Sequence, residues 1–198
     1  MKYILPGMGA TSRMYAGPWR GIRDAYFIDW PAYGGEATLA DLARSLINSY
    51  PISRHDCVIG TSMGGMVALE IDKLIGLRSV FLVAGAVHPD ELKPLSRAFL
   101  PFVSRSIIKT TQRLAAFSRQ LVQNMYATSD PDFIVAMSRA IRSWPGYGSR
   151  TGNVFRIHGR KDRIIACPDD CAIIEDGGHL IAITHARTCV DFITAHLA

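Results

Sequence analysis

The sequence predicts an α/β fold, in which a mostly parallel sheet of about six strands is flanked by helices. Short apolar runs of strand length alternate with helix-length segments along most of the chain, which is the pattern of parallel strands joined by crossover helices. The run from Val80 to Val83 is continuously apolar, as expected for a central strand covered on both faces. The predicted strands are residues 3–5, 25–29, 57–60, 79–84, 154–158 and 172–174.

Helices are predicted between most of these strands. Thr38 is a suitable N-cap for a helix over residues 39–49, whose apolar residues recur at helical spacing. A second helix is predicted to follow the third strand directly and to end at Gly76. A closing helix is predicted over residues 184–196.

Between residues 88 and 147 this alternation stops. Three segments there have the amphipathic spacing of helices, with no strand between them: residues 95–103, 112–126 and 131–144. An all-helical insertion between two sheet strands is typical of a lid that controls access to a site. We therefore expect residues 1–87 and 148–198 to form the core and residues 88–147 to form a helical lid, called the cap below.

The composition is that of one globular domain without a membrane span. The chain has 198 residues, of which 48% are hydrophobic and 20% are charged. Its apolar runs are shorter than a membrane span needs, and the N-terminus lacks the apolar region of a signal peptide. We therefore expect a cytoplasmic protein that does not insert into membranes.

Neither the charge nor the cysteines predict a nucleic-acid or metal site. The formal net charge is +5, but the basic residues are scattered, which is typical of a solvated surface rather than of a nucleic-acid interface. Cys57 and Cys189 lie in apolar runs and are expected to be buried, reduced thiols. Cys167 and Cys171 lack a second pair of ligands nearby, so no metal site is predicted.

The motif Gly60-Thr61-Ser62-Met63-Gly64 predicts a nucleophile at Ser62. A serine hydroxyl is a weak nucleophile on its own and must stand clear of the backbone beside a base. A sharp turn from strand to helix achieves this, and glycines two residues before and after the serine relieve the crowding there. The motif alone is a weak signal, but its position between a predicted buried strand and a predicted helix is the required context. A purely structural glycine-rich turn is the alternative.

Two backbone amides are predicted to form an oxyanion hole. One is the amide of Met63, at the start of a helix whose dipole favours a developing negative charge. The other should come from the turn after an earlier strand, and in Pro6-Gly7-Met8-Gly9 the N–H of Met8 is the candidate. A plain tight turn without a catalytic role is the alternative for this second segment.

His179 and Asp162 are the predicted base and acid. His179 follows the last predicted strand on a glycine-rich loop, whereas His158 lies at a strand end, where packing or hydrogen bonding is the expected role. Asp162 follows the fifth predicted strand, where its carboxylate could orient the imidazole and stabilise the imidazolium. A solvated surface aspartate is the alternative, with Asp90 as the reserve candidate. The chain order Ser62, Asp162, His179 is the nucleophile–acid–base order of such sites.

Together these residues resemble the α/β-hydrolase superfamily. Gly60 to Gly65 is similar to its nucleophile elbow, His158 to Asp162 to its acid turn, and Gly177 to His179 to its histidine loop. The segment Asp29 to Gly34 is similar to the family's D-x-P-G-x-G segment, with Ala32 in place of a glycine. The resemblance covers nearly the whole chain outside the cap, and it implies a small carboxylesterase-like hydrolase with a helical cap and no cofactor.

Three departures from the family pattern stand out. Pro6 occupies the position where the family usually has a histidine before the oxyanion glycine. The first strand corresponds to the family's third, so we expect this chain to lack the usual N-terminal hairpin. Only 16 residues, 163–178, separate Asp162 from His179, which is too few for the usual helix between the last two strands. We therefore expect a reduced sheet.

The predicted reaction is acyl transfer to water. Ser62 would attack an ester or thioester carbonyl with His179 taking its proton, and water would then release the acyl group. This chemistry needs no metal or organic cofactor, and the expected partner is a small-molecule acyl substrate; the oligomeric state is left open. Apolar cap residues are candidates for lining an acyl pocket, with packing onto the core as their alternative role: Phe99, Phe102 and Trp144, and also Phe117, Met125 and Met137.

Two alternatives to this function are kept. The same triad can cleave a C–C bond or an amide, or act in perhydrolysis, because fold and triad do not determine the reaction. A ligand-binding protein that retains the hydrolase frame without catalysis is the other alternative. A complete triad favours an enzyme, since a pure binder gains nothing from an activated serine.

Overall fold

One sheet of six parallel strands forms the centre of the protein. The computed structural model describes residues 1–106, 108, 130–148 and 152–197. The strands are β1 (Lys2–Leu5), β2 (Ala25–Phe27), β3 (Cys57–Thr61), β4 (Ser79–Val83), β5 (Val154–Gly159) and β6 (Ala172–Ile174). Their order is β2-β1-β3-β4-β5-β6, and every neighbouring pair is parallel. The predicted α/β fold with a sheet of about six strands is confirmed, and this sheet is wholly parallel.

The inner strands are apolar because both faces of the sheet are covered. All five residues of β3 and all five of β4 are buried. On β4, Val80 and Leu82 pack into the hydrophobic cluster on one face, and Phe81 and Val83 pack into the cluster on the other. This alternation is the period-two pattern of a strand. Burial on both faces therefore explains the continuous apolar run that the sequence shows here.

Helices cover the two faces of the sheet. The described helices are α1 (Leu39–Ser49), α2 (Met63–Ile75), α3 (Pro94–Phe99), α4 (Pro131–Arg142), α5 (Ile181–Thr184) and α6 (Ala186–Leu197). Residues of α1, α2 and α4 belong to one cluster, and residues of α5 and α6 belong to the other. Thr38 caps α1 as predicted: its hydroxyl accepts the Asp41 N–H, and the Asp41 carboxylate accepts the Thr38 N–H. The predicted closing helix is divided at His185, which separates α5 from α6.

The described parts of segment 88–147 are mainly helical. They include α3, α4 and two single 3₁₀ turns, Pro89–Glu91 and Leu100–Phe102. The predicted helix 95–103 is thus a short α-helix followed by a 3₁₀ turn, and the predicted helix 131–144 ends at Arg142. The predicted helix 112–126 lies outside the described residues.

The two ends of segment 88–147 are held together at the core. The Tyr147 N–H donates to the Val87 carbonyl at 2.8 Å. The Tyr147 hydroxyl donates to Asp72 of α2, and Trp144 Nε1 donates to Glu70 of the same helix at 2.6 Å. The returning end of the segment is therefore attached to α2.

The helix lengths and the cysteines can be compared with the sequence expectations. No helix in the described ranges has both the length and the apolar character needed to cross a bilayer. Cys57 and Cys189 are buried, and Cys167 and Cys171 are partly exposed. Burial raises the pKa of the Cys189 thiol to about 12, so this thiol stays protonated at neutral pH.

Candidate active site

The parallel sheet brings the predicted site segments to one edge. Strands β1, β3, β5 and β6 end just before the segments that carry Met8, Ser62, Asp162 and His179. Because parallel strands all point the same way, their carboxyl ends lie at the same edge of the sheet, which is where α/β folds bind ligands. Chain segments that are far apart in sequence can therefore meet there.

Ser62 occupies a strained turn between β3 and α2. Its backbone has φ 54° and ψ −120°, in a region that residues with a side chain rarely adopt. A Cβ on Gly60 would lie 2.2 Å from the backbone of Gly64, and a Cβ on Gly64 would lie 2.4 Å from the Pro6 carbonyl oxygen. Only glycine fits at these two positions. Met63 then begins α2, which places its N–H at the positive end of the helix dipole.

Three side chains form a hydrogen-bonded series at this edge. His179 Nε2 lies 3.0 Å from Ser62 Oγ, and His179 Nδ1 lies 2.8 Å from Asp162 Oδ2. The carboxylate can only accept, so Nδ1 carries a proton and Nε2 is free to accept the serine proton. The Asp162 side chain is fully buried, whereas His179 retains some exposure. The arrangement is therefore able to transfer a proton from the hydroxyl to the imidazole.

Asp162 is held by four hydrogen bonds. Its Oδ1 accepts the N–H groups of Ile164 (2.7 Å) and Ile165 (3.1 Å). Its Oδ2 lies 2.9 Å from His158 Nε2 in addition to its contact with His179. Burial raises the pKa of Asp162, but the hydrogen bonds from His158 and His179 outweigh it and hold this pKa well below its usual range. The carboxyl group is therefore ionised throughout the neutral range.

The acid turn packs closely against the histidine loop. A Cβ on Gly159, the last residue of β5, would lie 2.5 Å from the backbone of Gly177. The Lys161 N–H also donates to the Gly177 carbonyl at 2.8 Å. This close approach replaces the helix that the short spacing between Asp162 and His179 leaves no room for. It brings the carboxylate and the imidazole together directly.

The turn after β1 lies beside Ser62. A Cβ built on Gly7 would lie 3.7 Å from the Ser62 Cβ. The Gly7 carbonyl accepts from Trp30 Nε1 at 3.0 Å and from the Ala10 N–H at 3.1 Å. In a trans peptide the N–H points opposite to the C=O, and the described chain has no cis peptide bond. The Met8 N–H is therefore directed away from Trp30 and Ala10.

A sequence match to a family model identifies the family of this chain. The model of the alpha/beta hydrolase family matches residues 3–192. The chain belongs to the α/β-hydrolase family. The resemblance noted in the sequence is thereby confirmed over almost the whole chain. No curated protein sequence gives a significant match.

Solved α/β-hydrolase structures share this fold at low sequence identity. A thermophilic esterase from Thermogutta terrifontis is 17% identical, with a TM-score of 0.75 over 99% of this chain and 88% of that chain. An esterase from Exiguobacterium antarcticum is 15% identical, with a TM-score of 0.71 over 99% of this chain and 91% of that chain. A type II thioesterase from the yersiniabactin biosynthetic pathway is 17% identical, with a TM-score of 0.65 over 98% and 91%. These similarities show the fold of the α/β-hydrolase.

The substrate-binding candidates of the α/β-hydrolase do not form one group. Trp144 is only 4% exposed and belongs to the core cluster against α2, and Met137 is fully buried in the same cluster, which favours packing roles for both. Phe102 is 69% exposed on the 3₁₀ turn after α3. The Phe99 side chain, Phe117 and Met125 lie outside the described residues. The reserve acid Asp90 is exposed and pairs with Arg97 at 2.7 Å.

A cavity adjoins the turn after β1. It has a volume of about 170 Å³, and its lining includes Ala10, Trp30, Tyr33 and Phe133. The Trp30 and Phe133 rings are 5.8 Å apart between centroids, so the segment after β2 meets α4 here. Trp30, which lines the cavity, also donates to the Gly7 carbonyl of the predicted oxyanion turn. Apolar walls beside a polar site are the usual features of a small-molecule pocket.

Four side chains around the candidate site were not predicted to belong to it, although His158 was expected to pack or to form a hydrogen bond at its strand end. Tyr15 donates to the Leu5 carbonyl at 2.6 Å and lies 2.8 Å from Thr61 Oγ1, which fastens the ends of β1 and β3. Trp30 donates to the predicted oxyanion turn, and His158 contacts Asp162. Phe133 lines the cavity. For His158 a signal existed, because it precedes Asp162 by four residues at the end of the same strand. For the others the contacts join distant parts of the chain, which a single sequence does not reveal.

Proposed function

We propose that this α/β-hydrolase is a serine hydrolase that cleaves an ester or thioester acyl bond. The observation that carries the proposal is the series Ser62 Oγ–His179 Nε2 at 3.0 Å and His179 Nδ1–Asp162 Oδ2 at 2.8 Å. Nucleophile, base and acid are thus each within hydrogen-bonding distance of the next, as the chemistry requires. The names of two esterases and a thioesterase among the structural neighbours agree with this reaction class.

In the first half-reaction Ser62 Oγ attacks the acyl carbonyl carbon. Its proton moves to His179 Nε2, and the ionised Asp162 stabilises the resulting imidazolium. The N–H groups of Met63 and Met8 stabilise the negative oxygen of the tetrahedral intermediate. When the intermediate collapses, the bond to the leaving group breaks, and His179 returns the proton to the departing alcohol or thiol. An acyl group remains on Ser62.

In the second half-reaction water replaces the leaving group. His179 Nε2 takes a proton from water as its oxygen attacks the acyl-enzyme carbonyl. The same two amides hold the second oxyanion, and collapse breaks the bond to Ser62 Oγ, which regains its proton from His179. The products are a carboxylic acid and the free enzyme, so the cycle needs no other reactant.

Residues 88–147 are proposed to act as a cap over this site. The support is that Tyr147, at the end of the segment, bonds to Val87, and that Trp30 of the core and Phe133 of α4 both line the cavity with their rings in contact. An acyl or leaving group in the cavity would then lie between core and cap. A series of p-nitrophenyl esters with acyl chains of increasing length tests this assignment. Phe133→Ala is expected to shift the preferred chain length, and an unchanged preference would contradict the assignment.

The nucleophile is tested by Ser62→Ala with a serine-directed probe. We expect the variant to lose hydrolysis of p-nitrophenyl acetate while it retains the wild-type circular dichroism spectrum. A fluorophosphonate should label the wild type and the matched control Ser143→Ala, whose serine is exposed at the end of α4. Ser62→Ala should not be labelled. Equal labelling of Ser62→Ala would place the nucleophile elsewhere, and no labelling of the wild type would favour the non-catalytic binder.

The scissile bond is tested by comparing substrates with matched acyl groups. Rates on p-nitrophenyl acetate, an acetyl thioester, p-nitroacetanilide and a β-diketone separate ester, thioester, amide and C–C cleavage. We expect the two oxygen and sulfur esters to be turned over fastest. A higher rate on the anilide would instead indicate an amide hydrolase, and a higher rate on the diketone would indicate C–C bond cleavage.

A further inference from the structure

Two imidazoles, of which His158 is buried and His179 is partly exposed, share one oxygen of Asp162. His179 Nδ1 lies 2.8 Å from Asp162 Oδ2, and His158 Nε2 lies 2.9 Å from the same atom. His158 is 1% exposed and Asp162 is 0% exposed. The proposed reaction uses His179 and Asp162, but it assigns nothing to His158.

The contact defines which group donates. An ionised carboxylate has no proton to give, so His158 must carry hydrogen on Nε2 and donate it to Asp162. The other carboxylate oxygen already accepts two N–H groups, from Ile164 and Ile165. A carboxylate with donors on both oxygens cannot rotate without breaking several hydrogen bonds inside a buried site, where each unmade bond is costly.

We propose that His158 is a positioning residue of the active site, and this inference rests on the proposed function. Its N–H fixes the orientation of the Asp162 carboxylate and favours its ionised form. Asp162 in turn holds the Nδ1–H of His179, so that Nε2 faces Ser62. His158 thus acts on the reaction through Asp162 and does not touch the substrate itself.

The position of His158 in the sheet supports this role. It lies on β5 opposite Ile173 of β6, one residue before the Gly159 that packs against the histidine loop. Acid, base and His158 are therefore attached to the carboxyl ends of neighbouring strands, whose separation is set by the sheet. A donor on a strand is held more rigidly than a donor on a loop, which suits a group that must orient another.

The test compares variants that remove and restore the donor. His158→Met has a similar size but no N–H, whereas His158→Gln can place an amide N–H near the original Nε2. We expect His158→Met to lower kcat by about 10- to 100-fold, which is the usual loss when a residue that orients a directly acting group is removed. KM should change by less than about threefold. His158→Gln should recover most of kcat. His158→Asn, whose amide is too short to reach, should behave like His158→Met and replaces it if the methionine variant does not fold.

A double-mutant cycle separates positioning from general stability. In an Asp162→Ala background, His158→Met should lower the remaining kcat by less than about twofold, because the carboxylate through which His158 acts is absent. If His158→Met lowers kcat by the same factor in the wild-type and Asp162→Ala backgrounds, the proposal is overturned. A wild-type kcat in His158→Met, or equal kcat values in His158→Gln and His158→Asn, would also overturn it. Fluorophosphonate labelling of the wild type at Ser62 is measured alongside. Its failure refutes the proposed function, whereas normal labelling with an inert His158 refutes only this inference.

Discussion

Two aspartates of this protein, Asp162 and Asp72, are fully buried, and they differ in the groups that surround them. Asp162 accepts from two imidazoles and two backbone amides at the carboxyl edge of the sheet. Asp72 lies on α2 and accepts from the Leu77 N–H at 2.7 Å, from Asn153 Nδ2 at 3.0 Å and from the Tyr147 hydroxyl. Both carboxyl groups are well supplied with donors.

The comparison shows that burial and complete hydrogen bonding do not by themselves identify a catalytic carboxyl group. The partners of Asp72 are a backbone amide, a side-chain amide and a phenol, which join α2 to other parts of the structure. Of the partners of Asp162, His179 also contacts Ser62. Asp162 is therefore the one of the two that we propose to act in the reaction, while Asp72 fastens α2 to Asn153, next to β5, and to Tyr147 at the end of the cap.

The largest expected difference between the two aspartates is in turnover. Asp162→Asn should lower kcat by about 10³- to 10⁴-fold, because the amide favours the wrong tautomer of His179 and cannot stabilise the imidazolium. Asp72→Asn, measured in the same esterase assay below its unfolding temperature, should stay within about threefold of the wild type. A near-normal rate for Asp162→Asn would assign the acid to another carboxyl group.

The converse difference is expected in stability. Asp72→Asn should lower the free energy of unfolding by about 2–3 kcal/mol, because an amide cannot accept from all the donors that surround it in the core. Urea denaturation followed by circular dichroism measures this change. The exposed Asp169→Asn is the control and should change stability by less than about 0.5 kcal/mol. An equally small change for Asp72→Asn would show that its hydrogen bonds are replaceable.

A smaller effect is expected when one donor to Asp72 is removed. Tyr147→Phe keeps the ring and deletes the hydroxyl, which should lower the free energy of unfolding by about 1–2 kcal/mol. Turnover should remain unchanged, since Tyr147 contacts α2 and Val87 but none of the proposed catalytic groups. A tenfold loss of kcat in this variant would instead couple the end of the cap to the reaction.

The contribution of Asp162 to stability should also depend on pH. The native pKa of Asp162 is lowered, and in the unfolded chain it is about 3.9. The ionised group therefore stabilises the folded state above the unfolded pKa, and this contribution is lost as the pH falls through the native value. We expect the stability difference between wild type and Asp162→Asn to shrink between about pH 5 and about pH 2. Urea titrations at several pH values check this, and a widening difference would contradict it.

The same pair of aspartates shows what a single sequence can reveal. Asp162 was a candidate because it follows a predicted strand and precedes a glycine-rich histidine loop, and those are local signals. Asp72 looks like an ordinary polar residue of a helix, and only Tyr147 and Asn153, more than 70 positions later, explain its burial. Its role depends on tertiary contacts that no local pattern encodes.

The strands of the core could also be predicted from the sequence, whereas the contacts of the cap side chains could not. The strands were predictable because burial on both faces of the sheet leaves continuous apolar runs, as on β4. The cap side chains were not, because an amphipathic helix reports that one face is buried but not which surface it meets. Trp144 illustrates this: its indole donates to Glu70 on α2, a partner that no local pattern in the sequence identifies.

The Tyr147 N–H donates to the Val87 carbonyl oxygen at 2.8 Å, so the two ends of segment 88–147 lie next to each other. The entropic cost of closing a loop rises only slowly with loop length. Loop-closure entropy alone therefore places little constraint on the length of the chain between these two residues, whereas Phe133, Met137 and Trp144 are held by packing in the hydrophobic cluster. Changes in length outside these packed residues could alter selectivity, through evolution or engineering, while Ser62, His179 and Asp162 stay as they are.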